Sequence, residues 1–257
     1  MSSTNIKLPV STDHTPTASA KAFAMKQPGG QTRADVIDLD VVSDVICPWC
    51  FVGKRRLEKA IQLLGGSMDV RVTWRPFQLN PWMPTEGIDR NEYRRAKFGS
   101  IERSQQLDAR LAAVGAADGI DFHLDRIART PNTFDAHRLI WLAQHNGLQN
   151  VVVETLFRAY FTDGTDIGQS KNLLGIAESA GMDRTLAETL LSTKQGASEV
   201  LDEEARFKAL GIEGVPSFVV HGAILLSGAA EPQLLAEALA QCAGTQTDSD
   251  GAHERGE

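Results

Sequence analysis

Cysteine is scarce in this sequence: three residues in 257, two of them in one four-residue motif. That excludes a small disulfide-stapled scaffold and fits a reducing compartment, so a cytoplasmic location is expected. A second C-x-x-C is missing, as is an H-x-x-x-H pair, so a tetrahedral zinc site lacks two of its ligands. Runs of basic residues are missing too. With 26 Lys and Arg against 33 Asp and Glu, the net charge is -7, which argues against a nucleic-acid partner. No apolar run reaches the length of a membrane span, and residues 1–34 contain no apolar core of the kind a secretory signal carries. Internal repeats are absent as well.

What is present is a pair of tails around an apolar-rich body. Residues 1–34 are rich in Ser, Thr, Pro, Gly and Lys without periodicity and read as a disordered tail; residues 244–257 read as a second, acidic one. Hydrophobic residues make up 42% of the chain, enough for a packed core.

The body is organised around Asp44-Val45-Ile46-Cys47-Pro48-Trp49-Cys50-Phe51. Upstream, Ile37, Leu39 and Val41 alternate with other residues at strand period. Downstream, Cys50, Gly53, Leu57, Ala60, Ile61 and Leu64 share a helical face, and Gly65-Gly66 closes it. Cys47 therefore lands at a helix N-terminus, with Pro48 at the first helical position, where its missing N–H costs nothing. Unpaired backbone N–H groups there favour an anion. A thiol so placed ionises more readily than a free one, at a pKa of roughly 3.5 to 7.5. Cys50 lies one turn in, as the deeper resolving thiol, and Cys47 is expected to be the exposed one. The pair suits thiol–disulfide exchange, and C-x-x-C at a strand-to-helix junction is the thioredoxin-like signature.

Further along, Val70, Val72 and Trp74 alternate as a second strand, and Pro76 to Pro81 forms an irregular exit. Helical patterns then run to about residue 210: one charged stretch over 89–114 with a weak Leu107, Leu111, Val114 stripe, then segments opening at Thr133-Phe134-Asp135, over 149–162, near 168–180, over 183–194 with Asp183 as N-cap, and over 197–210. Val215 to Val220 and Ala223 to Leu226, joined by His221-Gly222, read as a hairpin. A last helix starts at Pro232 and carries Cys242 on its apolar stripe, where it reads as a small core hydrophobe. The expected fold is α/β: a thioredoxin fold with a large all-helical insertion. The thioredoxin part spans 35–80 and 211–243, and the insertion 81–210.

Five separated motifs resemble the FrnE-like branch of the DsbA-type thioredoxin-fold proteins over residues 35–242. They are Asp44 to Leu57, Trp74-Arg75-Pro76-Phe77-Gln78-Leu79-Asn80-Pro81, Asn132 to Arg138, Phe157-Arg158-Ala159-Tyr160-Phe161 and Gly214-Val215-Pro216-Ser217-Phe218. The resemblance implies a cis bond at Val215-Pro216, facing the dithiol, with the backbone before Pro216 pairing with substrate. By itself, a proline at the start of a strand fits either isomer. The resemblance also implies a DsbA/FrnE-type oxidoreductase in which Cys47 attacks and Cys50 resolves, acting on protein or small thiol and disulfide substrates. Pro48, Trp49, Val215, Pro216 and His137 are the expected substrate-binding residues. His137 otherwise reads as a satisfied structural histidine, and Trp49 as a shield for the disulfide. Trp82 and Phe77 line the same cleft or fill the joint between the two parts. No metal or organic cofactor is required; glutathione is the candidate reductant or ligand. Either a monomer or a homodimer is expected.

The body is also similar to kappa-class glutathione transferases and 2-hydroxychromene-2-carboxylate isomerases, which carry serine where this chain has Cys47. A glutathione-dependent isomerase or transferase acting on an aromatic or polyketide-like molecule is therefore the alternative function. A redox-regulated binding or holdase protein is the second alternative.

Overall fold

A computed structural model describes residues 35–250, with side chains defined over 36–242. The expectation for residues 1–34 lies outside the described residues.

β1 (Asp35–Ser43) leads into α1 (Pro48–Leu63) and then β2 (Met68–Pro76). β2 lies parallel to β1, the arrangement that a strand–helix–strand crossover gives. After the helical segments the chain returns as β5 (Ser217–Val220) and β6 (Ala223–Ser227). The sheet order is β2-β1-β5-β6, with β5 antiparallel to both of its neighbours. The hairpin turn puts both His221 (φ 52°) and Gly222 (φ 75°) in the left-handed region, as a twist-matched two-residue turn requires. The sheet is thus mixed, as a thioredoxin fold requires.

Between β2 and β5 lie a two-residue strand pair, β3 (Ile88–Asp89) with β4 (Arg129–Thr130), and seven helices. These are α2 (Arg90–Phe98), α3 (Ile101–Ala117), α4 (Phe134–His145), α5 (Gln149–Phe161), α6 (Ser170–Ser179), α7 (Arg184–Ser192) and α8 (Ala197–Ala209). The charged stretch over 89–114 is two helices, not one. Gly99 at φ 87° ends α2, and Ser100 caps α3 by accepting from the Arg103 N–H. Asp183 caps α7 through the Thr185 and Leu186 N–H groups, as its position predicts. The β3–β4 pair has no signal in the sequence, because two residues per strand are too few to show a period. Finally α9 (Pro232–Asp250) packs on α1 and β1. It carries the first seven positions of the expected acidic tail in helical form, leaving only 251–257 outside the described residues.

Strand alternation gives the sheet two apolar faces. Ile37, Leu39, Val41 and Phe218 enter the main core with Cys50, Phe51, Leu57 and Leu239. Val42 and Val219 point the other way, into a smaller cluster with Phe77, Phe207 and Ile212. Phe77 is therefore a core residue, and Trp82 is exposed. Phe51, next to the dithiol, stacks on Phe157 at 5.0 Å between ring centroids and meets Phe122 edge-on at 6.0 Å. This aromatic contact fixes the start of α1 against α5. Sheet and helical segments share one compact unit, so the expected insertion is packed into the body through a common core.

Candidate active site

The strand-to-helix junction builds the site. Asp44 closes a turn: its carbonyl accepts from the Cys47 N–H at 2.9 Å. Cys47 is the N-cap of α1 in extended conformation (φ -88°, ψ 111°), Pro48 holds the first helical position, and no side chain caps the first turn. The orphan N–H groups of that turn are left to whatever anion or polar group lies beside Cys47.

The two sulfurs occupy different environments. Cys50 is wholly buried, and its thiol is pushed well above the ordinary value, first by burial and then by the neighbouring Cys47 side chain. Cys47, expected at the surface, is only 5% exposed. Helices α2 and α3 stand over it, and it opens onto a cavity. Its Sγ donates to the Val215 carbonyl at 3.5 Å, and the Val215–Pro216 bond is cis. The cis element therefore faces the dithiol. It is held there by α1 itself, where Gly53 leaves room for the proline ring. The Gly228 N–H donates to the Pro216 carbonyl at 2.7 Å.

Asp44 ties the junction to the rest of the protein. It is fully buried, and its Oδ2 accepts from the Leu79 N–H at 2.8 Å. Its Oδ1 takes a long contact of 3.4 Å from the Ile46 N–H and lies 3.4 Å from His137 Nε2. That last contact lacks hydrogen-bond alignment, since Nε2 has no hydrogen-bond partner. His137 is thus behind the dithiol loop and does not line the cavity. Of the expected substrate-binding residues, His137 is the one set apart from the cavity: α4 turns its ring inward, into the buried space beside Asp44. Asp135 pairs with Arg138 at 2.7 Å.

The cavity in front of Cys47 has a volume of about 590 Å³. Pro48 and the half-exposed Trp49 form its mouth. Leu107, Leu111 and Val114 of α3, the weak apolar stripe, face it, together with Leu79, Phe98 and Phe161. Its polar residues had no role in the sequence reading. They are Arg90, Tyr93, Arg94 and Lys97 of α2, Asp108 and Arg110 of α3, Thr130 and Tyr160. A signal existed: Arg90, Arg94 and Lys97 are spaced i, i+4, i+7, a cationic stripe on one helix face. Arg90 and Arg94 both address Asp108, the former at 3.4 Å. Burial drives the Tyr160 phenol up, the nearby Asp44 carboxylate adding to this and Arg90 opposing it.

Cys242 is partly buried against the main core, and burial raises its thiol. Among the described residues, no group of three or more His, Cys, Asp or Glu is placed to hold a metal ion.

The profile of the DSBA-like thioredoxin domain matches residues 38–240. A crystal structure of a probable DsbA oxidoreductase from Streptomyces coelicolor superposes with a TM-score of 0.75 at 32% identity, covering 81% of this chain and 90% of the other. A 2-hydroxychromene-2-carboxylate isomerase superposes at 0.57 with 18% identity, covering 82% and 98%. The cytosolic disulfide reductase DsbM from Pseudomonas aeruginosa, solved with glutathione, superposes at 0.55 with 19% identity, covering 83% and 100%. At those lower identities the likeness is one of fold.

Proposed function

The chain belongs to the DSBA-like thioredoxin domain family, and from that premise we propose that it is a thiol–disulfide oxidoreductase of the FrnE branch, working through Cys47 and Cys50. The observation that carries this reading is the asymmetry of the two sulfurs. Cys47 lies at the uncapped start of α1, 3.5 Å from the Val215 carbonyl, whereas Cys50 is sealed one turn deeper.

The exchange runs in two balanced steps. The Cys47 thiolate attacks one sulfur of a disulfide; a Cys47–substrate disulfide forms and the other substrate sulfur leaves as a thiolate. Cys50 then gives up its proton and attacks the Cys47 sulfur. The Cys47–Cys50 disulfide closes, and the second substrate thiolate leaves. Two electrons pass from the protein to the substrate; the reverse sequence oxidises a dithiol. Two molecules of glutathione would restore the reduced protein and leave as glutathione disulfide. The neighbour DsbM, solved with glutathione, supports that choice. The reading needs no metal or organic cofactor. A cytoplasmic setting is supported by the sparse cysteine content. No helix among the described residues is long and apolar enough to cross a membrane.

The test is trapping. With glutathione disulfide, Cys50→Ser should accumulate a glutathione adduct on Cys47, seen by mass spectrometry, and Cys47→Ser should accumulate none there. Equal adduct in both variants would remove the assignment. The apolar-walled cavity beside Cys47 favours one second reading, a glutathione-dependent isomerase or transferase. Conjugation of glutathione to an aromatic electrophile that survives Cys47→Ala and Cys50→Ala together would establish it in place of the first.

A further inference from the structure

We infer that the substrate of this dithiol is a low-molecular-weight disulfide carrying a carboxylate on an apolar body, taken into the cavity between α1, α2 and α3, and not a disulfide on a folded protein. The inference rests on the exchange chemistry proposed for Cys47 and adds the class of molecule that reaches it.

Access comes first. Cys47 is 5% exposed and opens onto a cavity. A small disulfide enters such a space more readily than one held in the bulky surface of a folded protein. A volume of about 590 Å³ falls within the roughly 300–1,000 Å³ that small organic ligands occupy.

Charge comes second. The lining holds four cationic side chains, Arg90, Arg94, Lys97 and Arg110, against one carboxylate, Asp108, in a chain whose net charge is -7. Asp108 is already shared by Arg90 and Arg94. Lys97 Nζ has only the Tyr93 hydroxyl at 2.8 Å and the Tyr93 ring at 5.2 Å and Phe98 ring at 5.9 Å. Arg110 has no hydrogen-bond or ion-pair partner among the described residues. Arg90 and Arg94 are largely covered while Lys97 and Arg110 are exposed to solvent, and a wall of one dominant sign attracts an anion.

Wall chemistry comes third. The remaining walls, among them Leu79, Phe98, Leu107, Leu111 and Val114, are apolar and suit the body of the molecule.

The test measures second-order rate constants of the reduced full-length protein, in a Cys242→Ser background, with three probes. They are 5,5′-dithiobis(2-nitrobenzoate), an anionic aromatic disulfide; 4,4′-dithiodipyridine, neutral at pH 7; and insulin, a protein disulfide. Each rate is divided by that of 2-mercaptoethanol with the same small probe, which removes intrinsic reactivity. The anionic-to-neutral ratio should exceed that of 2-mercaptoethanol by about tenfold or more, and should fall about three- to tenfold in Arg110→Gln and in Lys97→Gln. The insulin rate, divided by that of 2-mercaptoethanol with insulin, should fall below the normalised rate of either small probe. A ratio equal to that of 2-mercaptoethanol, a ratio unchanged in both variants, or preferential reduction of insulin overturns the inference while leaving the Cys47 chemistry standing. If Cys47→Ser reacts as fast as its parent with all three probes, the oxidoreductase reading falls and this inference falls with it.

Discussion

Gly53 and Pro216 are in contact: a Cβ added at Gly53 would lie 2.9 Å from Pro216 Cγ and 3.5 Å from its Cβ. The helix that begins with the dithiol therefore also seats the proline whose neighbour, Val215, accepts from Cys47. In most helix interiors Gly→Ala stabilises by about 1 kcal/mol. Here the sign should reverse. The proline ring has little freedom to give way, so overpacking should cost about 1–3 kcal/mol. Gly53→Ala should lower the urea midpoint and slow the attack of Cys47, because Val215 shifts with Pro216. A stabilised Gly53→Ala would show that the ring and helix are not in firm contact.

The covering of the two sulfurs differs enough to be read by alkylation. Cys50 is wholly buried with its thiol held protonated, whereas Cys47 opens onto the cavity. Iodoacetamide at neutral pH should label Cys47 in the native protein and leave Cys50 untouched until urea unfolds it. Peptide mapping gives the order directly. Simultaneous labelling of both, in the absence of denaturant, would contradict the burial of Cys50.

Much of the frame was legible because it depends on local periodicity. The alternation of Ile37, Leu39 and Val41 gave β1, the 47–66 face gave α1 and its glycine end, and His221-Gly222 gave the hairpin turn. The site was only half legible. The dithiol announces itself, since two cysteines at a helix start have one spacing and one chemistry. The cavity does not, since it is made by elements far apart in sequence: α2 and α3 are brought over Cys47 by the fold. Leu107, Leu111 and Val114 looked like an ordinary core stripe because apolar residues facing a cavity and a core have the same spacing. The position of His137 was illegible for a related reason. The period of α4 tells which residues share a face, and not that the face meets Asp44 instead of the cleft.

Asp44 should be the residue outside the dithiol on which the loop most depends. Its carboxylate receives the Leu79 and Ile46 N–H groups and lies 3.4 Å from His137 Nε2. Asp44→Ala leaves the partly buried Leu79 N–H without its partner, and should cost about 1–3 kcal/mol. Asp44→Asn keeps one acceptor oxygen and should cost less than half of that. Denaturant titration of both variants checks the order. Equal losses would mean that the acceptor geometry is not what the residue supplies.

The raised thiol of Cys50 makes stability depend on pH in one direction only. In the unfolded chain a cysteine ionises near about 8.5, whereas the buried Cys50 holds its proton to higher pH. A group whose folded pKa is raised contributes its full share below the unfolded pKa and loses it as pH rises toward the folded one. Reduced protein should therefore lose up to about 1.4 kcal/mol per pH unit above pH ~8.5 from this residue alone. Cys50→Ala has no such proton to lose. The stability difference between reduced parent and Cys50→Ala, from urea titrations in a phosphine reductant, should be flat between about pH 7 and 8. It should then shrink by about 1 kcal/mol by pH ~9.5. Tyr160, also raised by burial, enters only above about pH 10, where an unfolded tyrosine ionises, and the raised Cys242 thiol is common to both proteins and cancels in the difference. In a Cys242→Ser background the oxidised protein should show no such decline, because neither sulfur of a Cys47–Cys50 disulfide carries a proton. A difference that stays constant through pH ~9.5 would mean that Cys50 ionises in the native state as easily as in the unfolded chain.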